Sequence, residues 1–104
     1  MEVKQSYQIY EILENIDKET YRKVICKNIK NFRLELYNQY KKEYNNAESS
    51  NNPYSTENVS SYLELSKVHY KRLENENDSN KYVSLDNLIK LSYIFDKKLD
   101  DFLK

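Results

Sequence analysis

The chain has 104 residues, the length of one domain with a single modest core, and 38% of them are apolar while 33% are charged. Seventeen basic residues balance seventeen acidic ones, so the formal net charge is zero, which argues weakly against a nucleic-acid partner. One cysteine, Cys26, and one histidine, His69, are too few for a structural zinc site or an internal disulfide.

Several kinds of segment are missing from the sequence. No stretch approaches the ~20 apolar residues of a membrane span. The first six residues contain no apolar run behind a basic flank, so a secretory leader is not expected. Nothing resembles a nucleophile elbow, a phosphate loop or a zinc signature. We therefore expect a cytoplasmic protein of one domain that is not an enzyme and that holds no metal or other cofactor.

The charges are unevenly distributed along the chain. Between Lys18 and Arg33 there are six basic residues against Glu19 alone, and between Lys67 and Arg72 three basic residues and no acid. Because phosphate contacts are local, this clustering is typical of one nucleic-acid-binding face. A solvated helix face would show the same pattern, so charge alone leaves both interpretations open.

Two helices are predicted in the first half of the chain. Ile9, Ile12, Leu13 and Ile16 recur at helical spacing and predict a short amphipathic helix over 5–16. Asp17 can cap a second, long helix from about residue 18 to about residue 44. Its first apolar stripe consists of Tyr21, Ile25, Ile29, Phe32 and Leu36.

The long helix carries a second apolar stripe after Arg33, formed by Leu34, Tyr37, Tyr40 and Tyr44. At ~100° per residue this stripe lies a quarter turn or more from the first, so the helix should have two packing partners. Packing against the first helix and use as a subunit interface are the two alternatives for the second stripe.

The second half of the chain predicts a polar loop and four short helical segments, with no alternating pattern long enough for a strand. The loop covers 45–53 and contains Pro53, the only proline. Ser55, Ser66 and Ser84 stand where three of the helices should begin and are predicted N-caps. The four segments are 56–63, 67–75, 85–95 and 99–103, and a second loop covers 77–80.

The segment from Tyr54 to Glu74 has the spacing of a helix-turn-helix unit. Two helices of under three turns are joined by Glu64, Leu65 and Ser66, and Ser60 is small where the helices must approach each other. The apolar positions are Val59, Leu63, Leu65, Tyr70 and Leu73.

This segment resembles the helix-turn-helix of the Cro and phage-repressor (Xre) family. Ser84 to Leu91 is similar to the family's next helix, and Leu99 to Leu103 to its closing Leu-Asp-Glu-Leu-Leu. The resemblance runs from about Ile25 to Leu103, with three separated blocks in the same order. It implies an all-α bundle of the lambda-repressor-like DNA-binding type. Within 1–104, residues 1–17 are then an N-terminal extension helix and 18–104 the family domain.

The sequence departs from the family pattern in four places. Glu64 stands where the family has a turn glycine, so a non-glycine residue should adopt positive φ there. Thr56 replaces a common glutamine, and the loop before Ser84 is a few residues long. Residues from about 36 to 53 form an insertion relative to the family.

The resemblance also implies roles for individual residues. The helix at 66–75 would lie in the major groove, with Tyr70 and Leu73 pointing inward. Arg33 would pair with Glu74 and brace the first family helix against this recognition helix. The residues that would read bases are Lys67, Val68, Lys71 and Arg72. The residues that would contact phosphates are Ser55, Thr56, Ser66, His69 and Lys81.

The expected function is a sequence-specific regulator of transcription, a homodimeric repressor that binds a double-stranded DNA operator, as in phages, plasmids and other mobile elements. The dimer contact could come from the N-terminal helix, the tyrosine stripe, or Leu99 with Phe102 and Leu103. One alternative is an antitoxin that binds a protein partner through 1–16 or 34–54. Another is a protein-binding inhibitor that retains the scaffold without reading DNA.

Overall fold

The computed structural model describes residues 3–44, 51–78 and 80–104, and within these ranges the chain is all-helical. The helical prediction is therefore confirmed for the described residues. Part of the loop predicted at 45–53, namely 45–50, lies outside them, as does Ser79 of the second loop. The helices are α1 (Ser6–Glu14), α2 (Lys18–Glu43), α3 (Thr56–Tyr62), α4 (Lys67–Leu73) and α5 (Leu85–Ile94), followed by a 3-10 helix (Leu99–Leu103).

The predicted caps position the helix starts. The hydroxyl oxygens of Ser55, Ser66 and Ser84 each accept a hydrogen bond from the backbone N–H three residues later, at 3.1 to 3.2 Å. The carboxylate of Asp17 accepts from the N–H groups of Glu19 and Thr20. Each such cap stabilises a helix by about 1 kcal/mol because it satisfies a backbone donor that has no partner inside the helix.

Helices α3 and α5 end in the same way, without glycine. Glu64 has φ 57° and Asp96 has φ 53°, so both residues occupy the left-handed region. After α3, the N–H of Glu64 donates to Ser61 and the N–H of Leu65 to Ser60. This is the Schellman arrangement, which stops the helix and turns the chain toward α4. The positive φ expected at Glu64 is thus confirmed.

The core lies between α2 and the four C-terminal helical segments. Phe32 of α2 packs edge-on against Phe102 of the 3-10 helix, with ring centroids 5.1 Å apart. Both inward-pointing residues predicted for α4, Tyr70 and Leu73, are fully buried. The buried cluster consists of Ile29, Val59, Leu63, Tyr70, Leu73, Leu91, Phe95 and Phe102. It fixes α2, α3, α4 and α5 as one packed unit.

Helix α1 lies outside this core. All of its residues are exposed, including Ile9 and Ile12 of its apolar stripe. The alternative in which the second stripe of α2 packs on α1 is therefore wrong. The 26 residues of α2 span about 39 Å. The tyrosines lie near its far end, where the rings of Tyr40 and Tyr44 pack against each other at 4.4 Å.

Asn52, which lies in the segment predicted as a polar loop, is fully buried and connects the chain before α3 to α2. Its side-chain amide donates to the carbonyl of Tyr37, and its side-chain oxygen accepts from the N–H of Tyr54. Its own carbonyl accepts from Ser55 and Asn58. These hydrogen bonds set where α3 begins relative to α2.

In the part of the chain that the structure describes, no helix combines the length and the apolar character needed to cross a bilayer.

Candidate functional site

Helix α4 presents two opposite faces. Tyr70 and Leu73 are 0% and 1% exposed and lie in the core. Lys67, Val68, His69 and Lys71 are exposed, and Val68 is 70% exposed although it is apolar. The chain's own described residues thus leave the outer face of α4 accessible. This face combines cationic side chains with one exposed apolar side chain.

Lys67, at the start of α4, forms an ion pair with Glu57 of α3. Its Nζ lies 3.0 Å from Glu57 Oε1, and both side chains are about half exposed. Exposed pairs of this kind contribute roughly 0 to 1 kcal/mol, so the lysine can exchange Glu57 for another acceptor at little cost.

Arg72, near the end of α4, is held more firmly by Asp78. Arg72 Nε donates to Asp78 Oδ2 at 2.6 Å and Nη2 contacts Oδ1 at 3.4 Å. Among the described residues, no group accepts from Nη1. One edge of the guanidinium is thus occupied by Asp78, and the Nη1 end remains free to donate elsewhere.

Asp78 is a site residue that the sequence did not reveal. The hydrogen bond from Arg72 holds the pKa of the Asp78 carboxyl below its ordinary value. Its side chain also accepts from the N–H of Asn80, and its carbonyl from the N–H of Lys81. Asp78 therefore orders the loop after α4 while it orients Arg72. The only signal in the sequence was an acid six residues after an arginine, a spacing that no regular helix brings together.

The expected pair between Arg33 and Glu74 is present, with both side chains 8% exposed. Arg33 Nε donates to Glu74 Oε2 at 2.6 Å and Nη2 to Oε1 at 3.0 Å, a bidentate arrangement. Arg33 Nη1 also donates to the carbonyl of Tyr54. Burial acts to lower the pKa of Arg33, but its hydrogen bonds and charge interaction with Glu74 raise it overall. The pair joins α2, the start of α3 and the end of α4.

The Tyr70 hydroxyl is buried near this pair. Burial raises its pKa well above the ordinary value, and the nearby negative charge of Glu74 acts in the same direction. Within the described residues the hydroxyl makes no hydrogen bond. Tyr70 therefore acts as an uncharged packing group, and the outer face of α4 gains no chemistry from it.

The predicted phosphate-contacting residues occupy different environments. Ser66, the N-cap of α4, and His69 on α4 are exposed, whereas Lys81 lies half-buried in the following loop. Thr56, half-buried at the start of α3, lines the groove described below. Ser55 is only 5% exposed, and its hydroxyl accepts the cap hydrogen bond from Asn58. The structure does not place Ser55 on the surface with the others.

An open groove of about 500 Å³ separates α2 from the C-terminal end of α4. Lys27 and Lys30 of α2 line one side, and Lys71 of α4 and Glu76 of the following loop also line it. Lys27 and Lys30 belong to the basic cluster between Lys18 and Arg33, which the sequence pattern did not assign to a site. Their position beside α4 depends on packing between segments more than 40 residues apart.

Neither metal nor thiol chemistry is indicated in the described ranges. No group of three or more His, Cys, Asp and Glu residues within 3–44, 51–78 and 80–104 is arranged to hold a metal ion. Cys26 is buried, its sulfur accepts a hydrogen bond from Arg22, and burial raises the pKa of the thiol. A raised pKa disfavours the reactive thiolate, so Cys26 acts as a packed core residue.

Comparison of the chain with protein-family models, with curated proteins and with solved structures finds no match. The function is therefore inferred from the residues and geometry of the site itself.

Proposed function

We propose that the protein is a sequence-specific regulator of transcription, a dimeric repressor that reads the major groove of double-stranded DNA with α4. The observation that carries this proposal is the accessible outer face of α4, which bears cationic and apolar side chains while its inner face is anchored in the core. In this proposal α3 and α4 form a helix-turn-helix of the Cro and phage-repressor type, within a lambda-repressor-like bundle.

The dimensions of α4 suit this role. An α-helix with its side chains is about 10 to 12 Å across, and the major groove of B-DNA is roughly 12 Å wide, so α4 fits into it. The short turn between Leu63 and Ser66 places α3 directly behind α4, so that α3 can support it from outside the groove. The Arg33–Glu74 pair holds the other end of α4 against α2.

The outer face of α4 carries side chains that can form hydrogen bonds or apolar contacts with the edges of DNA bases. Lys67 and the free Nη1 end of Arg72 can donate to O6 and N7 of guanine, and Val68 can contact a thymine methyl group. Lys71, which the family resemblance also assigns to base reading, is placed by this proposal at the edge of the groove, within reach of a phosphate. Asp78 is a positioning residue in this proposal, because both of its carboxylate oxygens accept from the Arg72 guanidinium and fix its direction.

Tight binding requires a second copy, because one recognition helix buries too little surface for high specificity. The candidate dimer surfaces are the exposed apolar face of α1, the tyrosines near the end of α2, and Leu99 with Leu103 of the 3-10 helix, both of which are exposed. The expectation that Phe102 takes part in this contact is wrong, since Phe102 is fully buried against Phe32.

The second candidate function is an antitoxin that also binds a partner protein. The observation that favours it is α1, whose apolar side chains are exposed rather than packed on the core. The exposed apolar residues of α1 and the following link are Tyr7, Ile9, Tyr10, Ile12, Leu13 and Ile16. In that role α4 would still bind the operator.

Alanine substitution of Lys67 and Arg72 tests the proposal by DNA-binding titration of the full chain. Loss of a base-contacting residue should weaken binding to the preferred site by roughly 1 to 3 kcal/mol and relax the preference at one position. Replacing Lys41 and Lys42, exposed residues at the far end of α2, removes the same formal charge and is the matched control.

A third variant separates base reading from simple charge attraction. Asp78→Ala keeps every cation of α4 but releases Arg72, so discrimination between preferred and other sequences should fall while general attraction to DNA persists. If Lys67→Ala with Arg72→Ala binds DNA like the control, α4 does not read bases, and an inhibitor that binds protein through this scaffold becomes the better interpretation.

A further inference from the structure

Helix α2 carries two lysines beside α4 that the proposed function does not yet use. Lys27 and Lys30 are exposed and lie three residues apart, on neighbouring positions of one helix face. Neither forms an ion pair with any described residue, in contrast to Lys67 and Arg72 of α4. Lys71 of α4 is likewise without an acidic partner in the described ranges.

These three lysines line the same groove, whose walls are fixed at both ends. At one end Arg33 is paired with Glu74. At the other end the guanidinium of Arg22 donates to the backbone carbonyl of Glu76. Lys27 and Lys30 lie on α2 between Arg22 and Arg33, the two residues that make these contacts. Their positions relative to α4 are therefore fixed by the fold.

The charge inside the groove is positive. Glu74 is neutralised by its bidentate pair with Arg33, which leaves Glu76 as the acid opposed to Lys27, Lys30 and Lys71. Thr56 and Asn31 add a hydroxyl and an amide that can donate hydrogen bonds. Cationic and neutral donors in an open groove suit a phosphodiester anion, and the openness suits a continuous strand rather than a small molecule.

We propose that this groove binds the sugar–phosphate backbone of the same duplex that α4 enters, with Lys27, Lys30 and Lys71 facing its phosphates. The inference rests on the proposed function and extends it, because it adds α2 to the DNA-binding surface. In this arrangement, the DNA backbone that borders the major groove beside the end of α4 would pass the side of α2 that bears Lys27 and Lys30. These contacts carry affinity and salt dependence but no sequence information.

The test compares wild-type protein with Lys27→Ala plus Lys30→Ala in fluorescence anisotropy titrations. The probe is a labelled mixed-sequence duplex of roughly three helical turns, titrated at several salt concentrations between about 50 and 200 mM. Alanine favours helix, so α2 should persist, which circular dichroism checks. Lys41→Ala plus Lys42→Ala is the matched control, about 20 Å further along the same helix.

Loss of two phosphate contacts should reduce the magnitude of the slope of log K against log salt by about 1.8, which is about 0.9 per phosphate. If the variant and the wild type bind equally at 1 M salt, this change of slope makes the variant bind about 60-fold more weakly at 0.1 M salt. The preferred sequence, if measured in the same variant, should not change.

A slope equal to that of the Lys41 and Lys42 control, with wild-type protein binding normally, would overturn this inference and leave the proposed function intact. Absence of binding by the wild-type protein itself would overturn both.

Discussion

Glu64 and Asp96 occupy left-handed backbone positions where glycine would be free of strain, in a chain that contains no glycine at all. The left-handed conformation costs an ordinary residue roughly 1 to 2 kcal/mol, and aspartate tolerates it better than glutamate. The turn between α3 and α4 is thus held by its hydrogen bonds and by packing, against a local backbone preference.

Glu64→Gly should stabilise the protein by about 0.5 to 1 kcal/mol. Glycine removes the left-handed strain, and its larger loss of backbone entropy on folding offsets part of that gain. Asp96→Gly is the paired comparison and should gain less, because the aspartate it replaces is less strained. Urea unfolding of the two variants measures both values. Destabilisation by Glu64→Gly would show that its side chain supports the turn in some other way.

At the residue scale, the sequence predicted the roles of side chains whose hydrogen-bond partners lie within four residues along the chain. Asp17, Ser55, Ser66 and Ser84 cap helices as expected, because a cap needs only a polar side chain and the next turn of backbone. Asn52 was assigned to a loop yet is fully buried. One of its hydrogen-bond partners, the carbonyl of Tyr37, lies 15 residues earlier in the chain. A contact over that distance is not predicted by a cap or turn pattern.

At the scale of the elements, α4 is held to α2 mainly by the core and by the buried Arg33–Glu74 pair. A buried bidentate ion pair fixes the relative position of the two side chains. Each charge needs the other, because a buried charge without a counter-charge is strongly destabilising. The orientation of α4, and therefore the direction in which Arg72 and Lys71 point, rests on this tie.

Glu74→Gln should destabilise the protein by roughly 3 kcal/mol or more, because Arg33 remains buried without a counter-charge. Replacing the pair by apolar residues, Arg33→Met with Glu74→Leu, should recover most of that loss. Equilibrium unfolding in urea compares the variants. If the single variant unfolds within about 1 kcal/mol of the wild type, the pair contributes little to holding α4 in place.

Helix positions followed from the apolar periodicity, and the observed bounds of α2 differ from the prediction by about one residue at its end. The periodicity did not predict which element each helix packs against. The stripe on α1 predicted an amphipathic helix, but a periodic stripe shows only that one side of the helix is apolar and does not identify what covers that side.

At the scale of the whole molecule, the described chain measures 57 × 30 × 20 Å and is elongated. Helix α1 contributes apolar surface outside the core, and the far end of α2 exposes tyrosine. Surface of this kind is typical of an interaction site, and a symmetric dimer is the simplest assembly that would bring two α4 helices onto one duplex.

Selection of bound sites from a pool of random duplex DNA, at a stated salt concentration, tests the central claim most directly. We expect an enriched palindrome whose half-sites are separated by about 34 Å, one turn of DNA, because two α4 helices related by a two-fold axis would occupy successive major grooves on one side of the duplex. Recovery of no preferred sequence from a protein that is folded under the same conditions would contradict it.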